Sequence, residues 1–264
     1  MGARANMQPG LLIVSHGSRE TGWVSLVDHT VEAVRSVLGG DMVVEAAFLE
    51  LVEGRLIQDG VERLEAQGVD RLFALPLFVS SGSTHVDEIG WALGAYAEPK
   101  LETDLRRAKV RVPLEYGKPM DDDPEVVELL LERLRSISED TGRESVLLIG
   151  HGSKEAGFKE AWQRGMASIG EQLVSSGGFL GYSGALLQLD EVADRYAELS
   201  ERNPGGTILV APLFLSEGYF TSVVIPRELE DLDCRYSGQA YMPHPRVADW
   251  IVRKAKEWLL KGSE

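Results

Sequence analysis

Three residues in the first half of the chain carry side chains suited to metal or proton chemistry, and each stands just beyond an apolar run. His16 follows Leu11–Ser15, Glu50 follows Val43–Leu49, and His85 lies in the loop after Arg71–Phe78. Two imidazoles and a carboxylate form a mixed nitrogen–oxygen donor set for a first-row divalent ion. The same groups can equally accept protons, because imidazole titrates near neutrality. Taken singly, each has an ordinary structural use. Gly17 permits a tight strand-to-helix turn, Ser18 can cap the following helix, and Glu50 alone is a solvated carboxylate at a strand end. His29 falls in a helical pattern as a surface residue, and His244 sits in the rigid turn Pro243-His244-Pro245. Placement lifts the first three above these uses. If the apolar runs are strands of one parallel sheet, their C-terminal ends share one edge, where α/β proteins bind ligands.

The elements needed to do this are legible. Short apolar, β-branched runs alternate with longer helical patterns: a helix from about Glu20 to Leu38, one ending near Gly68, and one running to about Ala97. A fourth strand is expected near Val110–Pro113, and Asp121-Asp122-Asp123-Pro124 caps a helix reaching about Ser136. Nearly continuous apolar strands alternating with helices predict a parallel sheet covered on both faces. After the turn-rich segment Ser138–Arg143 the pattern starts again. LLIVSHGSR at 11–19 returns as VLLIGHGSK at 146–154, AFLEL at 47–51 as ALLQL at 185–189, and ALPLF at 74–78 as VAPLF at 210–214. Three anchors in order at nearly constant offset mark an internal repeat. The expected fold is α/β, with two tandem similar domains at 1–140 and 141–264. Each is a mainly parallel sheet of about four strands flanked by helices, and the two are pseudo-two-fold related. The second repeat keeps His151, but Gln188 replaces the carboxylate and Phe220 or Thr221 stands where the second histidine would be.

Composition narrows the function. The 264 residues carry 27 Lys plus Arg against 42 Asp plus Glu, a net charge of −15. Such a chain has no global field for nucleic acid or an anionic membrane. One cysteine, Cys234, excludes an internal disulfide and a Cys-ligated cluster. No apolar run approaches the roughly 20 residues that span a bilayer. The opening MGARANMQPG lacks the apolar stretch of a signal peptide, so a cytoplasmic location is expected. No dinucleotide fingerprint, P-loop or nucleophile elbow is present. The loop Ser80-Ser81-Gly82-Ser83-Thr84 can be read as a flexible polar loop or as an anion cradle built from backbone N–H groups.

At these residues the sequence resembles the class II chelatases, the CbiX/SirB-type sirohydrochlorin chelatases, in their long two-repeat form. The resemblance rests on HGSR at 16–19, AFLEL at 47–51, PLFVSSGSTH at 76–85 and YGKP at 116–119, with HGSK at 151–154 and PLFL at 212–215 extending it into the second repeat. It implies a metal-inserting lyase of cobalamin or sirohaem biosynthesis that places Co²⁺ or Fe²⁺, with Ni²⁺ also compatible, into sirohydrochlorin or a related tetrapyrrole. By the family's pattern, His16, Glu50 and His85 are both metal ligands and catalytic groups. Arg19, Ser81, Gly82, Ser83 and Lys118 are candidates for holding substrate, and Lys154 and Arg164 could add counter-charge. One departure stands out. The family usually has G-x-H-V-x-x-D-I-P, whereas here Gly82-Ser83-Thr84-His85-Val86-Asp87-Glu88-Ile89-Gly90 carries its histidine one position later and lacks the proline. No tightly bound cofactor is expected beyond the metal as substrate, and two fused repeats are expected to act as a monomer. The second repeat reads as a degenerate partner. The alternatives are a carrier that binds metal or tetrapyrrole without turnover, and a hydrolase using His16 as nucleophile; the latter lacks a basic phosphate cluster.

Overall fold

The computed structural model describes residues 8–261. The opening segment read for a leader therefore lies, through residue 7, outside the described residues. Repeat one runs β1 (Pro9–Ser15), α1 (Thr21–Leu38), β2 (Val43–Phe48), α2 (Ile57–Ala66), β3 (Arg71–Pro76), α3 (Thr84–Ala92), β4 (Leu114–Tyr116) and α4 (Pro124–Arg135). Repeat two runs β5 (Glu144–Gly150), α5 (Phe158–Gly177), β6 (Gly181–Leu186), α6 (Val192–Arg202), β7 (Thr207–Leu213), α7 (Ile225–Glu228), β8 (Cys234–Tyr236) and α8 (Pro245–Lys261). The two four-stranded sheets have the same order, β2-β1-β3-β4 and β6-β5-β7-β8, and all pairings are parallel. The expected α/β architecture of two similar sheets is thus observed.

The central strands explain the order. Every residue of β1 and of β5 is buried, so only strands covered on both sides and both faces suit them. Each fully buried Leu, Ile or Val contributes about 1.5–3 kcal/mol relative to exposure. On β1, Val14 lies opposite Ala47 of β2 and Pro76 of β3, which sets the three strand ends level at one edge. The β1–β2 ladder continues past the strands, with Leu49 N–H donating to Ser15 O at 2.8 Å and Glu50 N–H to His16 O at 3.1 Å.

Two expectations need correction. The fourth strand is Leu114–Tyr116, not Val110–Pro113. Lys109 N–H is taken by Gln58 Oε1 and Arg111 N–H by Glu65 Oε1, so this stretch is pinned to α2 side chains rather than to a ladder. The helix after the Ser-rich loop ends at Ala92, and residues 93–113 form a long irregular excursion. Repeat two has only residues 229–233 between α7 and β8.

The compact units cut across the division into 1–140 and 141–264. One consists of residues up to Phe78, Thr84–Pro119 and Val247 onward; the other of Val79–Ser83 and Met120–Arg246. Thus α8 belongs with the β1–β4 sheet, where Trp258 stacks on Phe73 at 5.4 Å and lies under the Arg71 guanidinium at 4.6 Å. The helix α4 belongs with the β5–β8 sheet, packing on β7 and α5. The last helix of each repeat covers the other repeat's sheet. No described helix is long and apolar enough to cross a membrane.

Candidate functional site

The ends of β1 and β2 and the first turn of α3 bring the three predicted side chains into one neighbourhood. His16 is the hub. Its Nε2 lies 3.5 Å from Glu50 Oε1, and its ring meets that of His85 edge-on at 4.8 Å between centroids. The His16 and His85 side chains are 38% and 40% exposed, and Glu50 is 53% exposed, so a small ion and a larger ligand can both reach them. Gly17 makes the close approach possible. Its φ is +101°, and a Cβ there would lie 1.9 Å from Glu50 O.

Both imidazoles are oriented through Nδ1. Nδ1 of His16 lies 2.9 Å from Gly17 O. Nδ1 of His85 lies 2.5 Å from Glu88 Oε1. A carbonyl only accepts, so the His16 contact places the proton on Nδ1 and leaves Nε2 with its lone pair. Among the described residues no three His, Cys, Asp or Glu side chains already stand as a metal-ligand cluster. The two rings are adjacent and hydrogen-bonded, not yet converged on a point.

Glu88 escaped the sequence reading, although its i+3 spacing from His85 on a helix was a usable signal. Its second oxygen accepts from Thr103 Oγ1 at 2.7 Å. Burial alone would push the Glu88 carboxyl up, but the hydrogen bonds from His85 and Thr103 and the nearby charges of His85 and His16 hold it below the usual carboxylate range. With the one-position shift, His85 still stands beside His16, the ring centroids 4.8 Å apart. Gly90, standing where the family has proline, is needed for a different reason: a Cβ would come within 2.6 Å of Tyr96 Oη and 2.7 Å of the Tyr116 ring.

The Ser-rich loop is not an anion cradle. Ser81 N–H donates to Asp121 Oδ1 at 2.7 Å, Gly82 N–H to Ser80 Oγ at 3.0 Å and Ser83 N–H to Ser80 O at 3.0 Å. The Ser81 hydroxyl is also spent on Asp121, and a Cβ on Gly82 would lie 2.2 Å from Trp162 Cδ1. These donors fasten a structural turn, so the N–H groups of Ser81, Gly82 and Ser83 are already engaged within the protein. Arg19 and Lys118 are exposed.

Repeat two reproduces the frame without the chemistry. Gln188 N–H donates to His151 O at 3.0 Å, Nδ1 of His151 lies 3.2 Å from Gly152 O, and Gly152 again has a positive φ, +81°. Phe220, not Thr221, takes the place of the second imidazole. Its ring meets His151 edge-on at 5.0 Å and stacks on Phe214 at 5.6 Å. Thr221 is buried and hydrogen-bonded to Gly218.

Comparison with known proteins agrees with this duplication. The CbiX family model matches residues 10–137 and again 145–258. The chain is 26% identical over 263 residues to the sirohydrochlorin ferrochelatase of Bacillus subtilis, covering 95% of this chain and 92% of that protein. It is 26% identical over 138 residues to the sirohydrochlorin cobaltochelatase of Methanopyrus kandleri, covering 47% of this chain and 94% of that one. The solved structure of SirB from Bacillus subtilis with Fe³⁺ matches with a TM-score of 0.74 at 25% identity, covering 95% of each chain.

Proposed function

The chain belongs to the CbiX family, and on that premise we propose that it inserts a divalent metal, Co²⁺ or Fe²⁺, into sirohydrochlorin or a closely related tetrapyrrole, using one working centre in repeat one. The observation that carries this reading is that His16 stands beside both partners, its Nε2 3.5 Å from Glu50 Oε1 and its ring centroid 4.8 Å from that of His85. Relatives named for both iron and cobalt insertion share this chain's repeat, so the reaction class is better supported than the metal. An imidazole–carboxylate set accepts either ion.

The reaction exchanges one M²⁺ for two pyrrole N–H protons, so the centre must both hold the ion and take protons. Neutral imidazole nitrogens bind a divalent ion as substrate without locking it in. The half-exposed Glu50 can receive a proton from the macrocycle and pass it to water. Arg19 and Lys118 are the exposed cations of this repeat assigned to substrate carboxylates. The test is direct: purified protein, sirohydrochlorin and Co²⁺ or Fe²⁺, followed by the absorbance change on metallation. Turnover above the uncatalysed rate supports the proposal. Tight binding of metal or tetrapyrrole without turnover would make the protein a carrier instead.

A further inference from the structure

We propose that Glu88, held by Thr103, is the positioning residue that fixes His85 for metal delivery, and that the excursion 93–113 serves to supply this buttress. The inference rests on the reading of His16, Glu50 and His85 as the metal centre. It begins with an asymmetry between the two imidazoles. His16 is oriented by the backbone carbonyl of its own neighbour, Gly17. His85 sits in the first turn of α3, where its ring is held by a side chain instead. Its Nδ1 partner is the Glu88 carboxylate one helical turn on, at 2.5 Å.

A carboxylate accepts a proton but cannot donate one, so this contact puts the proton of neutral His85 on Nδ1 and leaves the Nε2 lone pair free for an ion. A glutamate has three rotatable bonds, and a carboxylate free to swing would not hold a ring. Glu88 is not free. Its other oxygen accepts from Thr103 Oγ1 at 2.7 Å, and its side chain is only 23% exposed.

Thr103 is in turn placed by an excursion fastened at several points. Lys100 N–H donates to Asp87 Oδ2 at 2.7 Å, Ala108 N–H to Ala92 O at 2.8 Å, and Arg107 bonds the carbonyls of Tyr96 and Ala97 at 2.9 and 2.7 Å. Leu105, Ala108, Val110 and Val112 pack on the core of the same unit. The chain of support is thus excursion to Thr103, Thr103 to Glu88, and Glu88 to His85. Repeat two puts Phe220 where the second imidazole would be, and joins α7 to β8 through residues 229–233 alone. The repeat with no second imidazole has no comparable excursion.

The experiment measures Co²⁺ binding by the visible absorption of the bound ion, and metal insertion with sirohydrochlorin, in the full-length chain. Losing an orienting partner of a metal-binding histidine costs about 10–100-fold in affinity or activity. Glu88→Ala should therefore weaken Co²⁺ binding and lower kcat by that order while leaving the KM for the tetrapyrrole unchanged. Glu88→Gln keeps an amide oxygen to accept the Nδ1 proton and should recover most of the loss. Thr103→Val leaves every side chain of the centre in place and should show a smaller loss of the same kind, restored in Thr103→Ser. Thr103→Val also carries the test should Glu88→Ala fail to fold. Wild-type Co²⁺ affinity and kcat in Glu88→Ala, alongside their loss in His85→Ala, would overturn the proposal and leave the metal centre standing. Equal losses in Glu88→Gln and Glu88→Ala would also overturn it, since charge rather than orientation would then be the contribution. Wild-type behaviour of His85→Ala would overturn the centre itself, and the buttress with it.

Discussion

His16 and His151 occupy equivalent places just past the ends of β1 and β5, each followed by a positive-φ glycine and each accepting, at its carbonyl, a backbone hydrogen bond from a residue two positions beyond the neighbouring strand. The frames match, yet one histidine faces a carboxylate and a second imidazole while the other faces an amide and a phenyl ring. Phe220 keeps the edge-on geometry of His85, so the packing that positions a ring survives the loss of its nitrogen. An amide is too weak a base to take a pyrrole proton, and a phenyl ring has no lone pair for a metal. A strand-end scaffold is therefore not by itself a metal centre; what it can bind depends on the donor atoms it carries.

The largest effect should come from exchanging the two histidines' fates. His16→Ala is expected to lower metal insertion by about 100-fold or more, the usual scale for loss of a proton-transfer or ligand group, while His151→Ala leaves it near wild type. Substantial turnover in His16→Ala would make repeat two a working site. Next in size, His85→Ala should sharply reduce both Co²⁺ binding and turnover, whereas Phe220→Ala should alter thermal stability and not turnover; steady-state rates and melting curves on the same preparations separate the two. Gln188→Glu, made in the His16→Ala background, should restore no activity, because the second imidazole is still missing. Recovered rate there would show that one imidazole and one carboxylate suffice.

The smallest effect concerns stability against acid. At the start of β5, where repeat one has Pro9, repeat two has Glu144. Burial alone would raise its carboxyl, but backbone N–H groups of Glu139 and Asp140, the Ser138 hydroxyl and the Arg235 guanidinium outweigh that and hold it below the usual range. A depressed folded value means the stabilisation is complete above the ordinary carboxylate pKa of about 4.3 and is lost as pH falls through the folded value. Glu144→Gln should thus melt lower by about 1–3 kcal/mol near neutrality and converge with wild type in acid. Hydrogen exchange on acidification should show the β5–β8 unit loosening first. A pH-independent gap between the two proteins would refute this.

That His16, Glu50 and His85 come together was legible because apolar runs mark strand ends and a parallel sheet puts those ends on one edge. Glu88 and Thr103 were not paired in advance because they meet across an irregular segment that carries no periodicity. Val110 and Val112 alternate with polar residues as a strand would, but they pack on the core from a stretch whose N–H groups bond to α2 side chains. The Ser80–Thr84 loop could be read as a flexible polar loop or as an anion cradle, because sequence shows donors without showing that Asp121 and Ser80 already occupy those of residues 81–83. The capping residues before Pro124 mark a helix reaching about Ser136 but could not show that it covers the β5–β8 sheet.

That exchange of terminal helices bears on how the polypeptide can be divided. A fragment ending after α4 would keep β1–β4 but lose the helix carrying Trp258, uncovering Phe73, while Leu130 and Leu134 of α4 would lose Val210, Ala211 and Pro212 of β7. Such a half is unsatisfied at two places and complementary to a second half at both, so severed repeats should associate rather than persist alone. In the intact chain each sheet draws its covering helix from the other repeat, so neither compact unit can be completed from one repeat alone.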